Sequence, residues 1–316
     1  MENQINIYLK EIKTNFPNSQ FEIIHNSFSR TLKHFVIKDH VGVKGFGTDH
    51  NFQTCIEKAY SEYVERKVFY ELNSIFNEFK TSNGFAAHLS YDKSKQSSIN
   101  ELIERDAFLI CWHGMKAPYW LSSIEIKKVL SNENLELYSN HLKNNLFLSI
   151  GIISKSAEIY TVIVKVSLKD KDYFYIDTKA SNNLIKSIND LIEGISFFSH
   201  YITLGNFKVK KITRTKIEKP MDHFFYYLTN NHKLKWFHNG NNHIFDIPTL
   251  EINTFNINTH DILNKEHLQR VVTFSESKTM QSYYCGNFNI ENLNINRFEN
   301  IFGRNLKFNK LPHPLS

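Results

Sequence analysis

The sequence predicts an α+β fold in which mixed β-sheets pack with long helices. Three observations carry that expectation. Residues 52 to 79 repeat apolar side chains at helical spacing without an internal Gly or Pro. Residues 146 to 177 hold three short runs rich in β-branched and aromatic residues, the mark of strands. A chain of 316 residues that is 41% hydrophobic can bury a large core.

The elements follow in chain order. The opening MENQINIYLKEIK has no cationic region leading into an apolar run, and nowhere do about 18 uncharged apolar residues follow one another. The reading is a soluble, cytoplasmic protein with no membrane partner. GVKGFGTD, residues 42 to 49, reads as a Gly-rich loop before the first helix. There Gly42, Gly45 and Gly47 would let the backbone approach an anion, Lys44 would add a point charge and the helix N-terminus its dipole. The stretch matches neither GxxxxGK[ST] nor GxGxxG, and such a turn is more often only a turn. After the helix of 52 to 79 comes a loop, TSNGFAAHLSYDKS, and then a second helix from about Gln96 to His113. Its AFLICW stretch is apolar all round, which predicts burial. Strands are expected at 146 to 154, 157 to 168 and 172 to 177, and a third long helix at 182 to 202. Beyond about residue 205 only strands near 269 to 275 are assigned. No Gly/Ser or Pro linker interrupts the chain, so one domain is expected, with residues 1 to 40 as an N-terminal extension.

Composition narrows the function. The net charge of +6 is spread without an Arg stripe, which disfavours nucleic acid. Three cysteines, Cys55, Cys111 and Cys285, form neither a disulfide framework nor a zinc set, in keeping with a reducing compartment. The 15 histidines include no HExxH or tight HxxxH arrangement. Aromatic residues, 14% of the chain, are better explained by core packing than by a docking surface.

Acidic pairs are the feature with chemistry in it. SINELIE at 98 to 104 and SINDLIE at 187 to 193 are nearly the same phrase, and SEYVER stands upstream. Each places two acids three apart on a predicted helix: Glu62 and Glu65, Glu101 and Glu104, Asp190 and Glu193. Residues so spaced share a helix face, and Arg66 and Arg105 lie beside two of the pairs. Any one pair is ordinary for a solvated face. The second differs because it leads straight into AFLICW, where an unpaired carboxylate is costly. Six acids brought together would need a cation beyond the two arginines, and hard oxygen ligands suit Mg²⁺, which is usually shared with phosphate. The sequence thus suggests a Mg²⁺-nucleotide site, on the assumption that the three helices converge.

The order of Gly-rich loop, SEYVER, SNGFAAH with ELIERDAF, and KSINDLIEG resembles the YcaO family of ATP-dependent enzymes that activate peptide amides. The resemblance runs from about residue 41 to 200 and is carried chiefly by SNG with ExxERDA. It implies a YcaO-type domain whose core, 41 to 200, holds ATP and Mg²⁺, with 201 to 316 as a remainder ending in a proline-containing tail. Glu62, Glu65, Glu101, Glu104, Asp190 and Glu193 would then be metal ligands or their supports. Lys44, Arg66 and Arg105 would meet phosphate, and Ser82 and Asn83 would line the nucleotide pocket. Asp190 departs from the family's usual Glu, and Glu193 stands where Gln is common.

The chain ends KLPHPLS. Two prolines stiffen an extended tail, and fraying is the commoner fate of last residues. In azoline-forming relatives the tail resembles Pro-x-Pro-x-Pro and reaches the active site. Pro312 and Pro314 match, and Ser316 replaces the last proline, so the tail joins the catalytic candidates. The resemblance implies cyclodehydration. A Cys, Ser or Thr side chain of a ribosomal precursor peptide attacks the preceding amide, whose oxygen takes the γ-phosphoryl group of ATP and leaves as phosphate, giving a thiazoline or oxazoline. It also implies a separate peptide-recognising partner of the E1-like or leader-binding kind, because only about 40 residues precede the Lys44 loop, and a flavin dehydrogenase in the same complex. Two alternatives stand beside this: thioamide or amidine formation on the same scaffold, and a non-catalytic scaffold that binds a partner or peptide.

Overall fold

Asn51 sets the start of the first long helix: its side-chain oxygen accepts from the backbone N–H of Gln53 and Thr54. The helix ends at Asn77, which adopts the left-handed conformation with φ of 51°. In the computed structural model residues 2–77, 79, 81–168, 173–203, 211–230, 234–241, 243–248, 250–265 and 268–315 are described. Of the residues singled out above, Ser316 and Asp172 lie outside them.

The elements in order are α1 (Glu2–Asn15), β1 (Gln20–His25), β2 (Lys33–Lys38), β3 (Lys44–Asp49), α2 (Phe52–Phe76), β4 (Phe85–His88) and α3 (Tyr91–His113). Then come β5 (Tyr119–Trp120), α4 (Ser123–Val129), α5 (Asn132–Lys143), β6 (Leu146–Ser156), β7 (Ile159–Leu168), β8 (Phe174–Ser181) and α6 (Leu184–Thr203). The rest is α7 (Pro220–Thr229), α8 (Lys235–Asn239), β9 (Phe245–Asp246), β10 (Asn253–Ile257), α9 (Thr259–Leu263), β11 (Val271–Glu276) and α10 (Ile295–Phe302). No described helix is long and apolar enough to cross a membrane. The three long helices and the strand run expected from periodicity are present. The loop expected at 81–94 instead contains β4 and the first turn of α3.

Contacts divide the chain into two compact units, Met1–Ile99 with Ile252–Glu276, and Asn100–Glu251 with Ser277–Ser316. This differs from one domain cut at 40 and 200. The chain leaves the second unit to add β10 and β11 beside β4, in a sheet of order β10-β11-β4. Nor is 1 to 40 an extension: Ile12 of α1 and Phe35 and Ile37 of β2 are fully buried in the first unit's core with Ile56, Tyr60 and Val64 of α2.

In the first unit β1, β2 and β3 form an antiparallel sheet, with Val36 opposite Phe46. From Lys44 to Asp49 the Gly-rich stretch is therefore the strand β3 and not a loop. Its glycines serve packing. A Cβ on Gly47 would lie 1.9 Å from the Cys55 carbonyl oxygen, and one on Gly45 would lie 2.2 Å from that of Ala59, so only glycine lets β3 approach α2 this closely. Gly42, with φ of 92°, alone sits in a turn.

The second unit is built on the sheet β5-β6-β7-β8, with β9 parallel to β6. Strand side chains alternate between faces. Phe174 and Ile176 join the core formed by residues 107 to 112 of α3 and by Tyr227 and Phe237. Tyr175, facing the other way, hydrogen-bonds Ser199 of α6 at 2.5 Å. AFLICW is thus buried as predicted, with Trp112 1% exposed. Asp106 and Arg297 form an ion pair of 2.7 Å in which both side chains are nearly inaccessible.

Candidate functional site

In the first unit Glu62 and Arg66 are held by backbone and by each other. Glu62 accepts from the backbone N–H of Phe46 at 2.6 Å and pairs with Arg66 at 2.5 Å. Arg66 donates to the Lys44 carbonyl at 3.1 Å and covers the Phe46 ring. Glu62 and Arg66 therefore fasten β3 to α2, while Lys44 is exposed on the strand. The α2 N-terminus offers no open N–H pair at Gln53 and Thr54, since Asn51 already occupies it. Glu65 lies one residue before Arg66 on the same helix. Ser82 and Asn83 lead into β4 through Gly84, whose φ is 85°. The buried Asn83 Oδ1 has no hydrogen-bond partner.

In the second unit the structure gathers more. Glu104, 8% exposed, accepts from the Thr178 hydroxyl at 2.7 Å and lies 3.2 Å from Arg105 Nη1. This contact lacks hydrogen-bond geometry, and Nη1 is buried without a hydrogen-bond partner. Burial pulls the Arg105 guanidinium down, but Glu104, Glu101, Tyr283 and Asp177 around it more than offset that and raise it. Asp177, next to Thr178 on β8, is pushed up to about 6, first by burial and then by Glu104. On α6, Asp190 is held by Lys179 at 2.7 Å and Lys186 at 2.8 Å. Glu193 accepts from the Asn134 amide at 3.1 Å.

The carboxylates thus meet cations and amides, and among the described residues no group of three His, Cys, Asp or Glu side chains is assembled to hold a metal. The donor chemistry nevertheless fits a hard cation with phosphate. Glu104 raises its neighbour Asp177, an excess of negative charge that a cation would relieve, and the unbonded Arg105 Nη1 suits an anionic oxygen.

The tail is not frayed. Pro312, His313, Pro314 and Leu315 are all buried. The Tyr227 hydroxyl donates to the Pro312 carbonyl at 2.5 Å and the Tyr283 hydroxyl to that of Leu315 at 3.3 Å. Tyr283 also carries the Arg105 guanidinium 5.4 Å above its ring. The tail is therefore linked to Arg105 through one side chain. Sequence reasoning missed Asp177, Thr178, Lys179 and Tyr283. Asp177 and Lys179 put charge into a strand that opens apolar, a signal present in the sequence; Tyr283 sits in a segment without periodicity and left none.

No protein-family model and no curated protein sequence matches the chain. Solved structures do. YcaO from Methanopyrus kandleri bound with AMPPCP and Mg²⁺ superposes with a TM-score of 0.60 at 10% identity, over 91% of this chain and 94% of that one. A heterocyclase in complex with substrate and cofactor gives 0.62 at 9%, over 90% of this chain but only 52% of its own. The E. coli microcin synthetase McbBCD complex gives 0.53 at 13%, over 82% and 86%. The fold of this chain is accordingly a YcaO-type fold.

Proposed function

We propose that this protein is an ATP- and Mg²⁺-dependent cyclodehydratase that converts Cys, Ser or Thr of a ribosomal precursor peptide to an azoline. The observation that carries this reading is the second-unit cluster: Arg105, with an unbonded Nη1, stands among Glu101, Glu104 and Asp177 and is tied through Tyr283 to the C-terminal tail. It occurs on the fold of a protein solved with AMPPCP and Mg²⁺.

Bound ATP with Mg²⁺ would supply the phosphoryl group that turns an amide oxygen into a leaving group. This chain's residues do the rest by position and charge. Arg105 binds an anionic oxygen through Nη1. Glu104, oriented by Thr178, and Asp177 present carboxylate oxygens to the cation, with Glu101 on the same helix. Lys179 and Lys186 fix Asp190 at the head of α6, and Asn134 fixes Glu193. By resemblance Glu62, Glu65, Asp190 and Glu193 are proposed as further metal ligands or supports, and Lys44, Arg66, Ser82 and Asn83 as nucleotide contacts. The tail, Pro312, Pro314 and Ser316, is proposed to handle the peptide, with proton removal by a group at its end.

The McbBCD structure with pro-MccB17 bound is of a complex with partner proteins, which supports a precursor peptide and a separate recognition partner here, with a flavin dehydrogenase as a further member. Thioamide or amidine formation on the same fold is the second reading, and the buried proline tail weighs against it. Incubation with Mg-ATP, the partner and a Cys/Ser/Thr-rich peptide tests the choice by mass spectrometry. Loss of water that consumes a Cys thiol or a Ser/Thr hydroxyl supports the azoline; loss of water that consumes an amine instead, exchange of oxygen for sulfur, or retention of mass contradicts it.

A further inference from the structure

We propose that His223 is a positioning residue that clamps the C-terminal tail and, through it, sets the placement of Arg105. The inference rests on the functional reading above for its second half only.

His223 lies at the start of α7 and is fully buried. Its Nδ1 is 2.6 Å from the His313 carbonyl oxygen and its Nε2 accepts from the Gly286 N–H at 3.0 Å. The carbonyl can only accept and the amide can only donate, so His223 is a neutral imidazole with its proton on Nδ1. Its ring stacks on that of His313 at 4.2 Å and 8°. His313 in turn donates from Nε2 to the Tyr284 carbonyl at 2.7 Å.

These bonds close a loop. His223 grips the tail at residue 313 and the segment 283 to 286 at residue 286, and that segment grips the tail again through Tyr284 and Tyr283. Tyr283 is also the ring beneath Arg105. A tail released at His313 frees the Leu315 carbonyl and the His313 ring, both of which touch Tyr283, and leaves Tyr283 with its contact to Arg105. His113 makes a similar bridge one step earlier, from the Asn309 carbonyl to the Tyr284 hydroxyl, so His223 holds the outer part of the tail. A backbone clamp of this kind explains why residues 312 to 315, which have no regular structure, are buried.

Three variants test this in the full chain. His223→Leu removes both hydrogen bonds, His223→Asn keeps a donor at the Nδ1 place, and His313→Phe keeps the stack but loses the bond to Tyr284. Hydrogen exchange of the His313 and Leu315 amides reads the clamp, and Mg-ATP turnover reads the positioning. His223→Leu is expected to raise exchange at both amides on the order of tenfold. It is also expected to lower kcat by about tenfold with KM little changed, Asn recovering part of both. Should His223→Leu misfold, His223→Asn, which keeps the donor toward the His313 carbonyl but loses the acceptor of the Gly286 N–H, is expected to raise exchange part of the way. Unchanged exchange in these variants overturns the clamp, and raised exchange with unchanged kcat overturns the positioning role. If the wild-type protein does not bind Mg-ATP at all, the functional reading fails and the positioning role fails with it, while the exchange result still decides the clamp.

Discussion

The Thr178 hydroxyl donates to the Glu104 carboxylate at 2.7 Å, joining the middle of β8 to the middle of α3 across 74 residues of sequence. Both side chains are buried, so the bond fixes the rotamer of an acid that would otherwise be costly to hold there.

Thr178→Val keeps the shape and removes the donor. The Glu104 carboxylate is then left with Arg105 at 3.2 Å and no hydroxyl. A loss of about 1–3 kcal/mol is expected in urea unfolding, together with weaker Mg-ATP binding. An unchanged affinity would mean that Glu104 needs no orientation.

Gly47→Ala separates packing from phosphate binding at the Gly-rich stretch. The new Cβ would sit 1.9 Å from the Cys55 carbonyl oxygen, so β3 and α2 must move apart. A destabilisation of about 1–3 kcal/mol or more without nucleotide is expected. A variant of normal stability that fails only to bind ATP would restore the loop reading.

How much of this was legible beforehand follows from what each signal depends on. Periodicity is local, so α2, α3, α6 and β6 to β8 could be read from Phe52, Ala107 or Val162 and their neighbours. The glycines of 42 to 47 stay ambiguous in sequence because a turn and a close strand–helix approach ask for the same residue, and only the partner helix decides. Glu101 and Glu104 were legible as a pair from their spacing, but the partners Thr178, Asp177 and Tyr283 lie 70 or more residues away and share no pattern with them. The two-unit division was invisible because β11 returns to pair with β4 after about 180 residues.

The Asp106–Arg297 pair makes a further test, since each side chain also bonds backbone, at Gln281 N–H and the Pro248 carbonyl. Arg297→Met leaves Asp106 buried and unpaired. A cost of about 3–5 kcal/mol is expected in denaturant titration, with Asp106, already raised by burial, pushed further up. A loss below 1 kcal/mol, about the value of a surface pair, would place the pair in solvent.

Acid should loosen the tail. Burial lowers His113 and His223 to about 4, and His313 well below its ordinary value, its Nδ1 having no acceptor to receive a proton. These groups are neutral when folded and take protons more readily when unfolded. Their contribution is therefore complete above an unfolded pKa of about 6.5 and is lost as pH falls toward 4. Unfolding measured from pH 7 to 4 should show stability falling across that window, with His223→Asn less steep. A flat profile contradicts the buried neutral cluster.

The central claim is that the acids and Arg105 of α3 form a Mg-ATP site. Calorimetric titration of ATP, with and without Mg²⁺, into the wild-type protein and into Glu101→Gln/Glu104→Gln tests it most directly. Heat of binding is expected only for the wild type and only with Mg²⁺. Equal binding by the variant, or none by a folded wild-type protein, would contradict it.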